Sequence, residues 1–228
     1  MMIELVDVWF KYSKGSSWAL RGISIGFRPG EVTVIVGPNG SGKTTLLKVA
    51  SLMYEPTKGK VLVDGEEFWS LSEEKQLSIR RKFIYVHEKP IMLRSSVLEN
   101  VIYGLLIRGI DRATALRYGL NMLSSLELEH LANKSARRLS AGEAQLVAIA
   151  RALVLKPKIA FLDEPFAFLD REKQRRLSRI IGAMRNESVG FVVATHNPSV
   201  IRDFADRIFI LESGVVVEES QDPSIIAH

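Results

Sequence analysis

Nine residues, Gly37-Pro38-Asn39-Gly40-Ser41-Gly42-Lys43-Thr44-Thr45, carry the types and spacing needed to hold a triphosphate. They fit G-x-x-x-x-G-K-[ST], a loop whose backbone N–H groups wrap phosphate oxygens. Gly37, Gly40 and Gly42 let the backbone turn with its amides inward, Lys43 can reach the β- and γ-phosphates, and the Thr44 hydroxyl can ligate Mg²⁺. A second chemical pair closes the run Ile159-Ala160-Phe161-Leu162-Asp163-Glu164. At the end of a parallel strand both carboxylates would emerge at the ligand-binding edge of a sheet. There Asp163 can hold Mg²⁺, directly or through water, and Glu164 can polarise a water in line with the γ-phosphate.

These groups need elements to aim them. Glu31-Val32-Thr33-Val34-Ile35-Val36 is β-branched enough for a buried parallel strand, and Leu46-Leu47-Lys48-Val49-Ala50 continues as a helix after the glycine loop. The N-terminal part reads as strands over 3–10 and 19–27, with Pro29-Gly30 turning into the phosphate-binding strand. Val61-Leu62-Val63 followed by Asp64-Gly65 predicts a hairpin, Ser72-Glu73-Glu74 opens a helix reaching about Arg81, and residues 83–86 form a short strand. From Ser95 to Leu139 the spacing turns helical, with Val97, Val101, Leu105 and Leu106 on one face. Strands resume over 158–162, 190–194 and 207–211, with helices expected around 140–155, 171–185 and 198–205.

Composition narrows the classes. The chain has 228 residues, 46% of them hydrophobic, enough for one large core. It has no apolar run near the roughly 18 residues of a membrane span, and no basic-then-apolar leader after Met1. It has no cysteine, which excludes disulfides and thiolate metal sites and agrees with a cytoplasmic address. A net charge of +5 suits an ordinary solvated surface, and it also suits nucleic acid or an anionic membrane.

Between the two chemical motifs lies Leu139-Ser140-Ala141-Gly142-Glu143, running into Val147-Ala148-Ile149-Ala150-Arg151-Ala152-Leu153. With the phosphate loop before it and the Asp-Glu strand after it, this ordered set resembles the ATP-binding cassette family over nearly the whole chain. The resemblance implies an α/β fold: a P-loop NTPase (RecA-like) core with an N-terminal antiparallel β subdomain and an inserted α-helical subdomain at about 88–139. Residues 1–228 would be one nucleotide-binding domain. The implied activity is ATP hydrolysis with Mg²⁺ in a head-to-tail dimer, where Ser140, Ala141, Gly142 and Glu143 of one copy complete the nucleotide site of the other. The implied partners are a second ATPase subunit, a membrane permease and a solute-binding protein, with the chain peripheral on the inner face of the membrane. Import is the direction favoured, since 89–94 through Glu99-Asn100 looks like importer subunits, with an oxyanion such as tungstate as one cargo.

Further positions match in order. Tyr12 stands where the family stacks an aromatic ring on adenine, although a strand aromatic is the plainer reading of the residue alone. Leu169-Asp170 resembles the D-loop at the dimer interface, and His196 resembles the switch histidine that hydrogen-bonds the γ-phosphate. Glu88 replaces the usual Gln; it either ligates Mg²⁺ beside the triphosphate or is a solvated loop residue. Ala141 replaces a signature glycine and would be strained if φ there is positive, while Glu143 and Leu146 replace the usual Gln and Arg. A different class, a cassette ATPase acting on nucleic acid or the ribosome, draws on the positive charge. Against it, the segment between Lys43 and Ser140 shows no sustained heptad, and only one cassette is present.

Overall fold

A computed structural model describes residues 1–13, 15–197 and 204–222. Strands β1 (Ile3–Phe10) and β2 (Leu20–Phe27) pair antiparallel, and the Pro29-Gly30 turn leads into β3 (Val32–Val36), buried almost throughout. The glycine loop then opens α1 (Lys43–Ala50). Strands β4 (Lys58–Val63) and β5 (Glu66–Glu67) form the hairpin over Asp64-Gly65, both turn residues having positive φ. Ser72 accepts the Lys75 N–H and caps α2 (Glu73–Arg80), and β6 (Phe83–Val86) follows. Two helices come next, α3 (Val97–Leu106) capped by Ser96 and α4 (Arg112–Ser125) capped by Asp111. The chain continues through α5 (Ala141–Leu153), β7 (Ile159–Asp163), α6 (Arg171–Asn186), β8 (Gly190–Thr195), β9 (Arg207–Glu212) and β10 (Val215–Ser220). The helix expected at 198–205 falls mainly on residues 198–203, outside the described residues.

Two sheets organise these elements. One has the order β2-β1-β4-β5 and is antiparallel; the other has the order β10-β9-β3-β8-β7-β6 and is parallel except for the β9–β10 hairpin. Successive residues on a strand point to opposite faces, so the central strands feed two cores. Val32, Val34, Ala160, Leu162 and Val193 join the core built with α3, α4, α5 and α6. Ile35, Ile159, Phe161 and Val192 join the core built with α1 and the antiparallel sheet, where Phe161 meets Phe27 edge-on at 5.8 Å. Strands sandwiched in this way read as continuous apolar runs because neither face sees water. Truncating Phe161 to Ala would remove about 3–5 kcal/mol.

At Ala141 the condition for strain is not met. Ala141 opens α5 without a left-handed φ, so its methyl group is tolerated. The neighbouring Gly142 is the constrained position: a Cβ there would lie 2.7 Å from the Phe168 carbonyl oxygen.

Candidate nucleotide-binding site

Three parallel strand ends converge to form the site. β3, β8 and β7 are neighbours, with Val36 opposite Thr195 and Asp163 opposite Ala194. The glycine loop, Glu164 and His196 follow these ends directly, so they share one edge of the sheet. The pocket there holds about 490 Å³. Asn39, Gly40, Gly42, Lys43, Thr44 and Thr45 form one wall, and Tyr12, Ala19, Glu88, Asp163, Glu164 and His196 form the rest.

Helix α1 enters this pocket uncapped. Its N-cap, Gly42, sits at φ 106° with no side chain accepting from the first turn and no acidic residue there. The N–H groups of its first turn and the positive end of the helix dipole suit an anion. An alanine at Gly42 would be strained by that φ and would place its Cβ 2.6 Å from the Ala19 carbonyl oxygen.

Lys43 is buried and folded back, its Nζ donating to the carbonyls of Gly37 (2.7 Å) and Pro38 (3.1 Å) and lying 3.9 Å from Glu164 Oε1. Burial lowers its pKa, against the opposing pull of Glu164, Asp163 and Glu88. Ser41 is buried in the loop, and its hydroxyl has no hydrogen-bond partner among the described residues.

Asp163 accepts two hydrogen bonds on one oxygen, Oδ2: from Thr44 Oγ1 at 2.8 Å and from the Tyr85 hydroxyl at 2.9 Å. Burial, and then the Asp163 charge, push the Tyr85 hydroxyl well above the usual tyrosine range, so it stays a neutral donor. Glu164 has φ 46°, a backbone state that costs about 1–3 kcal/mol and is held by its N–H bond to the Ala194 carbonyl. Its Oε1 accepts the His196 backbone N–H at 2.9 Å and lies 2.8 Å from His196 Nδ1; its Oε2 accepts from Thr195 Oγ1 at 3.1 Å. The His196 ring thus engages Glu164 here, with about half of its side chain exposed.

Tyr12 shows both of its expected characters. Its ring sits edge-on to Phe10 at 5.2 Å, yet it is exposed at the pocket and its hydroxyl pairs with Thr45 Oγ1 at 2.8 Å. Glu88 lines the same pocket as Lys43 and Asp163.

Ser140, Ala141, Gly142, Glu143 and Asp170 line no part of this pocket. Gly142 packs under the Phe168 carbonyl and near Lys173, and Asp170 caps α6 through the Lys173 N–H at 2.9 Å. Ser140 caps α5 in a closed capping box with Glu143. Ser140, Ala141 and Asp170 are exposed.

Sequence reasoning missed Tyr85 and Thr195, which hydrogen-bond the two candidate carboxylates, Asp163 and Glu164. The available signal was a polar tip at or near the end of each of two apolar strands, but their use depends on sheet register. Among the described residues no cluster of three or more His, Asp or Glu could hold a metal alone. Thr44 Oγ1 and Asp163 do supply adjacent hard oxygen donors, which suits Mg²⁺ bound through one or two protein groups plus phosphates.

Residues 20–167 match the family described as ABC transporter. The chain belongs to that family. It is 31% identical over 219 residues to the cell division ATP-binding protein FtsE of Bacillus subtilis, covering 96% of each chain. It is 37% identical over 209 residues to the tungstate uptake system ATP-binding protein TupC of Peptoclostridium acidaminophilum, covering 91% of this chain and 94% of that one. Among solved structures it superposes with a TM-score of 0.86 on the dimeric ATP-binding cassette MJ0796 in a post-hydrolysis state bound to ADP and Pi. The two are 31% identical, covering 96% of this chain and 98% of that one. The fold is therefore that of the P-loop NTPase cassettes, and the chain is an ATP-hydrolysing, ATP-binding subunit of an ABC transporter. No helix among the described residues is long and apolar enough to cross a membrane.

Proposed function

We propose that two copies of this chain close head-to-tail around two ATP molecules, and that their reopening after hydrolysis drives a separate membrane permease. One observation carries the reading. The uncapped α1 with its carboxylates and the exposed start of α5 beside Asp170 are two separate half-sites on one chain.

In this reading the α1 amides and Lys43 hold the β- and γ-phosphates, and the exposed Tyr12 ring takes the adenine. Thr44 and Asp163, with Glu88 beside them, would hold Mg²⁺, which neutralises phosphate charge when bound. Glu164 accepts the proton of the attacking water, and His196, held by Glu164, faces the γ-phosphate. Ser140, Ala141, Gly142 and Glu143 of the other copy seal the site, with Asp170 crossing the interface. The chain acts as one nucleotide-binding unit whose helical insert, about 88–139, grips the permease at the inner membrane face. A relative named for tungstate uptake supports import and makes an oxyanion the first cargo to test, with a solute-binding protein as the further partner.

The test is Glu164→Gln. Hydrolysis should fall by about 10²–10⁴-fold while ATP affinity stays within a few-fold, and size-exclusion chromatography should show a dimer only with ATP. Turnover at the wild-type rate would remove Glu164 as the base, and a monomer at saturating ATP would remove the head-to-tail dimer. Loss of tungstate uptake on deleting the gene, restored by the wild-type chain and not by Glu164→Gln, would establish import.

A further inference from the structure

Tyr85 belongs to no motif of the loop, the Asp-Glu strand or the α5 start, yet its hydroxyl reaches the carboxylate at the centre of the site. It sits on β6 opposite Phe161 of β7, its ring edge-on to His87 at 6.0 Å. The ring forms part of the wall of a second cavity, about 530 Å³, that also touches Met53, Ile91 and Arg151. Tyr85 packs against the core that contains Phe161, and its hydroxyl reaches Asp163.

Both donors to Asp163 converge on Oδ2, and Oδ1 accepts no hydrogen bond among the described residues. A carboxylate pinned on one oxygen presents the other. Thr44 also donates to Oδ2, but a cation taken up beside it draws on the same hydroxyl oxygen as a ligand, so its position answers to two tasks. Tyr85 comes from a different element and has no such competing task. Its hydroxyl donates to Asp163 Oδ2 at 2.9 Å from the neighbouring strand. Asp163 is buried, and a buried carboxylate that loses a donor is held less firmly in one orientation.

We propose that Tyr85 is a positioning residue that pins Asp163 Oδ2 and so presents Oδ1 to the cation accompanying ATP. This rests on the reading in which Thr44 and Asp163 hold that cation. Partners of this kind behind a metal ligand typically change metal affinity by about 10–100-fold when removed.

The experiment uses Mn²⁺ as a spectroscopic probe in the full chain carrying Glu164→Gln, with protein in excess over ATP. Free Mn²⁺ is followed by electron paramagnetic resonance, and ATP affinity is measured separately in chelator. Tyr85→Phe, which removes only the hydroxyl, should weaken Mn²⁺ about 10-fold and leave metal-free ATP affinity within about twofold. Asp163→Asn should weaken Mn²⁺ more strongly and serves as the reference. Unchanged Mn²⁺ affinity in Tyr85→Phe beside a weakened Asp163→Asn would overturn the positioning role alone. If Asp163→Asn were equally without effect, the cation assignment would fall and take this proposal with it. An equal loss of metal-free ATP binding in Tyr85→Phe would show a general packing role instead.

Discussion

Helices α1 and α5 both begin where the chain turns through small residues, and their first turns are in opposite states. At α1, Gly42 is left-handed, no side chain caps the helix, and the first amides open into the pocket. At α5, the Ser140 N–H and hydroxyl both donate to Glu143 Oε2, at 2.7 and 2.8 Å, and Ser140 Oγ accepts the Glu143 N–H at 3.3 Å. An uncapped helix start leaves N–H groups that water or a ligand must satisfy, and an anion suits them best. A self-capped start on the surface is stable alone and can exchange its contacts when a ligand arrives. The first therefore binds within its own chain. In the proposed dimer the second would meet a phosphate held by another copy, and that asymmetry would let nucleotide control association.

The sharpest way to break this comparison is at α1. Lys43→Ala should weaken ATP binding by about 100-fold, since a partly desolvated charge-to-phosphate contact disappears. Gly42→Ala should do at least as much, because both its φ and its close approach to Ala19 forbid a Cβ. Equilibrium binding of a fluorescent ATP analogue checks both, and retained affinity in Gly42→Ala would show that α1 does not supply the cradle. Next in size is Ser140→Ala at α5. It should cost about 1 kcal/mol of stability through the lost cap and lower turnover of the dimer about tenfold, with ATP affinity of the monomer within twofold. If monomer affinity falls as far as turnover, the two helix starts serve one site within one chain and the asymmetry is wrong.

What could be read in the sequence follows the same division between local and long-range causes. The glycine loop, the strand before it and the Asp-Glu strand were legible because loop chemistry and apolar runs are local. The start of α5 was placed to within a residue, and Ser72 identified the α2 cap. Register was not legible. Tyr85 reaches Asp163, and Thr195 reaches Glu164, only because β6, β7 and β8 lie side by side. The two signature positions show this most clearly, since sequence directs attention to Ala141 while the constraint falls on Gly142. That constraint comes from the Phe168 carbonyl, which belongs to a turn after β7. Gly142→Ala should therefore lower the melting temperature and the ATP-driven dimer yield, whereas Ala141→Gly should leave turnover within about twofold and cost less than about 1 kcal/mol of stability. Faster turnover in Ala141→Gly would mean that the methyl group restrains the closed dimer.

The smallest expected effect, Glu143→Gln, separates capping from charge. The Ser140 backbone N–H holds the Glu143 carboxyl below its ordinary value, with the Ser140 hydroxyl and then Lys134 and Lys173 adding to this against some desolvation. A depressed carboxyl stabilises the fold above its unfolded value, near 4.5, and that contribution is lost as pH falls through the lower folded value. Gln can close the same capping box without titrating. Wild-type stability should therefore fall more steeply than that of Glu143→Gln below about pH 4.5, as thermal melts across acidic pH would show. Near neutral pH, Gln removes a negative charge from the face proposed to meet the other copy's triphosphate. In the Glu164→Gln background this should tighten ATP-driven dimerisation by a few-fold at low salt, and the gain should shrink as salt screens the charge. Equal dimer affinities at low salt, measured by sedimentation, would mean that Glu143 turns away from the phosphate in the closed state. The α5 start would then contribute its hydroxyl and backbone donors while its capping carboxylate stays out of the phosphate's field.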